Sequence, residues 1–416
     1  MKPILLCKVG SVMAAVARAW RQGVSVLASA FMLASCGGTV GDLLSGVGSG
    51  GSGVAEGTIT GFGSILVDDL RYDDSRAVLT RQGALGVESA PSLKLGQRVR
   101  VRSTQAGVAD TVEVLAELVG PIESPPQAYG TGWWLRVMGQ WVWVEGPSAA
   151  AAAAPTVIDT TNDDCDSTCR PLAQAMWVEI HGSWVLDAGK GVKVLRASRV
   201  EYVEASAAAL VSGLTERVGN AVVIKTPSGQ EVTLAGAGLS AAPNEMVRAW
   251  VPAHQVGSAA LQASRAIQAS IASSQHAEPV VLGGAIDQIE GNEVVIQGTR
   301  ISIPPGLATQ LPQLGESVRA ELERTATGWQ LKSAPAASRG ASSGVVRIEA
   351  DLSGNEVLRL AQGTKLRGTA IAPADSALLA SSGCTALAAQ PRLKVVLIAR
   401  RGPLPLQVTA LTCQAN

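Results

Sequence analysis

At 416 residues the chain exceeds what one ordinary domain holds, so several modules are expected. Apolar residues make up 47%, enough to bury real cores, while 45 Gly, 20 Pro and frequent turns between short Val- and Ile-bearing runs favour β-structure over long helices. The 34 basic and 34 acidic side chains cancel, so a nucleic-acid partner, which calls for a surplus of cations to displace counterions, is disfavoured.

The chain opens with a secretory pattern. Lys2, Lys8, Arg18 and Arg21 precede the apolar run GVSVLASAFMLAS over 23–35, a positive start and a hydrophobic middle shorter than a membrane span. The run ends in Leu33-Ala34-Ser35-Cys36-Gly37, which resembles the bacterial lipobox of Leu, two small residues and Cys. That resemblance implies acylation of the Cys36 thiol, removal of residues 1–35 and a membrane partner reached through the lipid anchor. In bacterial lipoproteins an Asp just after the Cys favours inner-membrane retention; Gly37 there implies the outer membrane, on its periplasmic or its cell-surface side. Read from Met13 the signal has ordinary proportions, and translation is expected to begin there. The Gly/Ser-rich run GGTVGDLLSGVGSGGSG over 37–53 cannot bury a core and reads as a tether reaching roughly 20–25 Å.

Beyond the tether the chain repeats itself. EGTITGFGSILVDDLRYD (56–73) is followed by GQRVRVR (96–102), and SGLTERVGNAVVIKTPSGQEVTL (212–234) by NEMVRAWV (244–251). GGAIDQIEGNEVVIQGTRISI (283–303) precedes LGESVRAEL (314–322), and a divergent copy, GPIESPPQAYGTGWWLRVMGQWVWV (120–144), precedes AQAMWVEIHG (173–182). The last copy is VVRIEADLSGNEVLRLAQGTKLRG (345–368) with QPRLKVVLIA (390–399). Each reads as strand, loop, strand, tight turn, strand, then a later strand, with two-residue hairpins at Val67-Asp68-Asp69-Leu70, Val137-Met138-Gly139-Gln140 and Ile296-Gln297-Gly298-Thr299. Such a unit removes its open edges by curling into a small barrel. The fold expected is all-β, about five tandem small antiparallel barrels of OB- or SH3-like type. The division is a signal peptide over 1–35, lipidated Cys and tether over 36–55, modules over 56–117, 118–209 (Trp-rich), 210–279 and 280–335, a linker over 336–344 and a fifth module over 345–416.

The first copy resembles an uncharacterised domain-of-unknown-function family of small β-barrel repeats in proteobacterial envelope lipoproteins, with a pattern close to G-x-I-x-G-F-G-S-I-x-V-N-G-x-x-F. Gly57, Ile59, Gly61, Phe62, Gly63, Ser64, Ile65, Val67 and Tyr72 match, and Asp68-Asp69 replaces the usual Asn-Gly. The resemblance implies a fold and brings no catalytic residues. Because a strand and not a helix follows Gly61-Phe62-Gly63-Ser64, these glycines read as a bend or bulge where a side chain would clash, not as a phosphate loop.

The remaining candidates, in chain order, carry little chemistry. Arg98, Arg100 and Arg102 share one strand face and read as a solvated edge that discourages aggregation, with an anion site as the alternative. Six of nine tryptophans fall in the second module: Trp133, Trp134, Trp141, Trp143, Trp177 and Trp184. Trp141 and Trp143 share a strand face, whereas Trp133 and Trp134 point to opposite faces, so one of that pair cannot enter the same core. Packing within or between modules is the preferred reading, stacking on a sugar or peptide the alternative. The acidic stretch DTTNDDCDSTC over 159–169 lacks calcium-loop spacing, and His181, His254 and His276 lack metal or charge-relay spacing. GASSG over 340–344, around Ser342, sits in a connector and not at a nucleophile elbow. In an oxidising envelope the economical pairings are Cys165 with Cys169 and Cys384 with Cys413. No residue set implies a catalytic group, metal ion or cofactor. The expectation is a non-enzymatic outer-membrane lipoprotein serving as spacer or interaction scaffold for an envelope protein, or alternatively binding glycan or peptidoglycan through the second module's tryptophans.

Overall fold

Two-residue turns organise the chain. In the computed structural model, which describes residues 48–90, 92–147, 154–160, 171–269, 271, 279–338, 340, 343–387 and 390–415, the three expected hairpins all form. Their central pairs, Asp68-Asp69, Met138-Gly139 and Gln297-Gly298, have positive φ throughout, as the type I′ turns that match strand twist require. Arg367-Gly368 makes a fourth. Asp68 and Asp69 hold this conformation without a glycine because their carboxylates are anchored: Asp68 accepts from the Thr58 N–H (3.2 Å) and Ser338 hydroxyl (3.2 Å), and Asp69 from the Gly340 N–H (2.8 Å).

The fourth module closes as a five-stranded barrel: Val280–Glu290, Glu293–Ile296, Thr299–Ser302, Gly328–Leu331, Ser317–Thr325 and back to the first. Four contacts round this ring are antiparallel and one, between the third and fifth strands in chain order, is parallel. A closed ring must contain an even number of direction reversals, so five strands cannot all be antiparallel neighbours. The same parallel pairing recurs at Asp73↔Val108, Val142↔Leu195, Val232↔Leu261 and Ile371↔Leu406; the first four stretches share one barrel plan, the OB-like order, while in the fifth Thr364–Leu366 and Thr369–Ile371 form a two-stranded sheet of their own.

The fifth stretch departs from the expected run of strands. Gly354–Arg359 is a helix where NEVLRL reads as strand, because Ser353 and Glu356 form a reciprocal capping box and Val357 and Leu360 turn inward one helical turn apart. Short helices Ser376–Ser381 and Cys384–Leu387 follow. The Cys384–Cys413 disulfide forms and ties Cys384–Leu387 to the last strand, Val408–Ala415. In the chain-entropy picture, closing a loop with a sequence separation of 29 contributes about 3–4 kcal/mol.

Strand pairing fuses the modules. Gly53–Phe62, buried along its whole length, pairs in parallel with Val280–Glu290 and with Val345–Leu352. The Gly61-Phe62-Gly63 segment makes this possible. Its register with Ile65–Val67 shifts between Ile59 and Gly61, and a Cβ on Gly61 would sit 2.5 Å from the Arg347 carbonyl oxygen across the module boundary. Gly63, at φ 131°, meets the Glu349 side chain in the same way. Gly61 therefore borders a bulge and Gly63 lies in the turn that joins the two strands, and both let the fifth module approach where a side chain would clash. The expected tether also ends early, with Gly48–Ser49 pairing with the strand Leu70–Tyr72. Residues 336–338, read as linker, are tied down by Ala336–Ala337 on Ser317–Thr325 and by Ser338 on Asp68.

Three hydrophobic cores result: one shared by the first and fifth modules, one by the second and third, and one in the fourth. Charged groups lie between them. Arg98, fully buried, bonds Glu56 (2.9 Å) and the Gly283 carbonyl (3.1 Å), while Arg100 bonds the other Glu56 oxygen (2.9 Å). Burial opposes the Glu56 charge, but Arg100, Arg98 and Arg248 outweigh it and hold the carboxyl at about 2. Arg98–Ser103 is thus an interior strand, paired on both sides, and the solvated-edge reading fails for Arg98 and Arg100; only Arg102 is exposed. His181 is buried against Glu179 (3.0 Å) and the Leu115 carbonyl (3.0 Å), and Arg81 joins the same carboxylate (2.8 Å).

Candidate ligand-binding face

The hairpin Gly132–Val137/Gln140–Glu145 is built by strict alternation around Met138-Gly139. Leu135, Val137, Val142 and Val144 point inward to the core. The turn pairs Val137 with Gln140, and this register places Trp134 opposite Trp143 and Arg136 opposite Trp141 on the outer face. Trp134 is the hub. Its ring lies 4.9 Å from Trp143, tilted by 54°, and 6.1 Å from Trp141, edge to face. Such pairs contribute roughly 0.5–1.5 kcal/mol beyond area burial, enough to hold the rings in one arrangement.

Two loops extend the face. Tyr129, 69% exposed at the end of Gln127–Tyr129, meets Trp143 edge to face at 6.4 Å. From the turn joining Trp177–Asp187 to Val192–Tyr202, the Lys190 ammonium sits 3.9 Å from the Trp141 centroid and 4.4 Å from Trp134. That turn is pinned by the Lys190 N–H on the Asp187 carboxylate, 2.7 Å. Arg136 lies 5.2 Å over Trp141. Glu145 accepts the Trp143 indole N–H (2.8 Å) and the Thr131 hydroxyl (2.6 Å), which fixes the Trp143 ring. The surface is a half-exposed aromatic shelf with two cations set over its rings, on the second and third strands of a barrel and flanked by the loops that OB-type barrels use for oligosaccharides and oligonucleotides.

Trp133 and Trp134 do part company. Trp133 turns to the inner side, packs against the second core and walls an apolar cavity of about 290 Å³ with Pro126, Ile158, Leu172 and Leu404. The preference for internal packing therefore fits Trp133 and not Trp134. Tyr129, Arg136 and Lys190 escaped the sequence reading. The first two were signalled by the turn at Met138-Gly139, since fixing that register also fixes which residues share a face; Lys190 comes from a loop that only the tertiary fold brings near.

Other expected sites fare unevenly. Cys36, Cys165, Cys169, His276 and Ser342 lie outside the described residues. Among the described residues no group of three or more His, Cys, Asp or Glu side chains is placed to hold a metal ion. Asp159, at the head of the acidic stretch, pairs with buried Arg199. The chain matches no protein-family model and no curated protein.

Proposed function

We propose that this chain is a non-enzymatic lipoprotein of the outer membrane, acylated at Cys36, whose fused barrels form a scaffold displaying a glycan-binding face on the second module. The lipobox Leu33-Ala34-Ser35-Cys36 and Gly37 support the anchor and its destination. The observation that carries the binding function is the outward set Trp134, Trp141 and Trp143. Indole rings that burial does not require offer flat apolar area to the C–H face of a pyranose, and Lys190 and Arg136, set over Trp134 and Trp141, donate to its hydroxyls. Peptidoglycan is the glycan available to a chain on the periplasmic side.

The test is retention on purified cell-wall sacculi. The chain is expected to be retained, and Trp134→Ala with Trp141→Ala to abolish retention. Retention unchanged in that variant, or absent in the parent, removes glycan binding and leaves the scaffold alone. Mass spectrometry of the mature N-terminus tests the anchor separately, with an acylated cysteine expected at position 36.

A further inference from the structure

The aromatic face of the second module is not bare. The Lys190 ammonium stands 3.9 Å from the Trp141 centroid and 4.4 Å from that of Trp134, so it touches both rings at once. Those rings meet edge to face at 79°, and an ammonium set in their corner is attracted by both ring quadrupoles. Arg136 lies 5.2 Å over Trp141 as a second cation. A pyranose that stacks on Trp134 and Trp141 therefore needs the contact that Lys190 already holds.

Lys190 can leave the rings without disturbing the fold. Its backbone is fixed, because the Lys190 N–H donates to the Asp187 carboxylate (2.7 Å) and the Gly191 N–H to the Asp187 carbonyl (2.8 Å), with Gly191 at φ 64°. Its side chain is a flexible four-carbon stem, and among the described residues its ammonium forms no ion pair. The carboxylates around the face have other partners. Asp187 takes that backbone N–H, Glu145 takes Trp143 and Thr131, and Glu123 takes the Gly139 N–H (2.6 Å) with Arg136 at 3.6 Å. What Lys190 loses on leaving is the cation–π contact, and what replaces it depends on the ligand. A neutral sugar offers hydroxyls, which only stand in for water. A carboxylate offers a charge-assisted hydrogen bond, roughly twice as strong as a neutral one.

Resting on the glycan reading of this face, we propose that Lys190 is its specificity-determining residue and that the ligand is a saccharide carrying a carboxylate beside the stacked pyranose ring. Lys190 screens the indoles from neutral sugars and swings out to meet the carboxylate of an acidic one. The selection comes from one placed ammonium and from the cost of uncovering Trp134 and Trp141, so it needs no positive excess in a chain whose formal charge is zero. Arg136, held by Glu123, does not substitute for it.

Isothermal titration of the full chain, in detergent, decides it. The probes are trigalacturonate and its trimethyl ester, the same saccharide with its carboxylates neutralised. The parent is expected to bind the acid about tenfold more tightly than the ester. Lys190→Ala is expected to bind the ester about threefold more tightly than the parent does, because its rings are uncovered, and the acid more weakly, so that the two affinities converge. A gain for one probe beside a loss for the other is not what a loosened fold produces. Equal binding of acid and ester by the parent, a preference undiminished in Lys190→Ala, or both probes weakened alike by that substitution would overturn the proposal. Sacculus retention keeps the two levels apart. A parent that is retained on sacculi without preferring the acid loses this inference alone, whereas a parent that is neither retained nor binds either sugar loses the glycan reading with it.

Discussion

In the first module the hairpin Ile65–Val67/Leu70–Tyr72 lies inside the molecule, its turn carboxylate Asp68 lodged over Gly57 and Gly283 of two different modules. In the second module the matching hairpin, Gly132–Val137/Gln140–Glu145, sends Trp134, Arg136, Trp141 and Trp143 outward. One backbone plan thus serves both as internal cement and as an exposed platform. What differs is the chemistry of the outward residues and of the facing strands. Where small residues such as Gly57 and Gly283 face a turn, another module can close over it. Where bulky rings cover the face, what reaches over them among the described residues is the Lys190 side chain of the same module.

The largest expected effect lies on the cemented side. Glu56→Gln removes the charge that pairs with Arg98 and Arg100 and leaves both guanidinium groups in the interior. Breaking a buried pair in this way costs about 3–5 kcal/mol, to be read from urea unfolding. Because the folded carboxyl sits at about 2, below its ordinary value of 4.5, the parent keeps this contribution above pH 4.5 and loses it as pH falls through 2. A loss below 1 kcal/mol would mean that the modules are held by strand pairing alone.

That seam also marks how far the sequence could be read. Turn residues and alternation place the hairpins, because Asp68-Asp69, Met138-Gly139 and Gln297-Gly298 act through their own backbones. Arg98 and Arg100 looked like an edge because their alternation with Val99 and Val101 is the pattern of a half-solvated strand. Their true partner, Glu56, is far away in sequence. Glu349 and Arg71 escape for the same reason: the residues meet only when the first and fifth modules pair. The helix Gly354–Arg359 was legible, since Ser353 and Glu356 stand at capping-box spacing, yet the repeat pattern overrode that local signal. The aromatic face was legible in part. Consecutive Trp133 and Trp134 had to diverge, but only the register decides which of them joins Trp141 and Trp143.

A second expected effect has the opposite sign. Burial pushes the Asp68 carboxyl up to about 6, from an ordinary 3.8. A carboxyl whose folded value exceeds its unfolded one contributes its full stability below pH 3.8, and that contribution disappears as pH rises through 6. Asp68→Asn keeps an acceptor for Thr58 without the ionised form, and Asn tolerates the left-handed turn. The variant is expected to exceed the parent by about 3 kcal/mol at pH 7.5 and to match it near pH 3.5, in paired urea titrations. A difference independent of pH would show that the turn is not held by this carboxylate.

The smallest effect on stability belongs to the exposed platform and is the sharpest test of the comparison. Trp134→Ala with Trp141→Ala removes the ring contacts and the seat of Lys190 but opens nothing in the core, so unfolding should shift by only about 1 kcal/mol. Trp133→Ala, one position away, enlarges the apolar cavity beside Ile158 and Leu172 and should destabilise the chain by more than that while leaving sacculus binding intact. Neighbouring tryptophans would then divide the two properties between them, one governing binding and the other stability. If both variants instead lost stability alike and neither lost binding, the outward rings would be one more layer of cement, and the second module's hairpin would serve the same purpose as the first's.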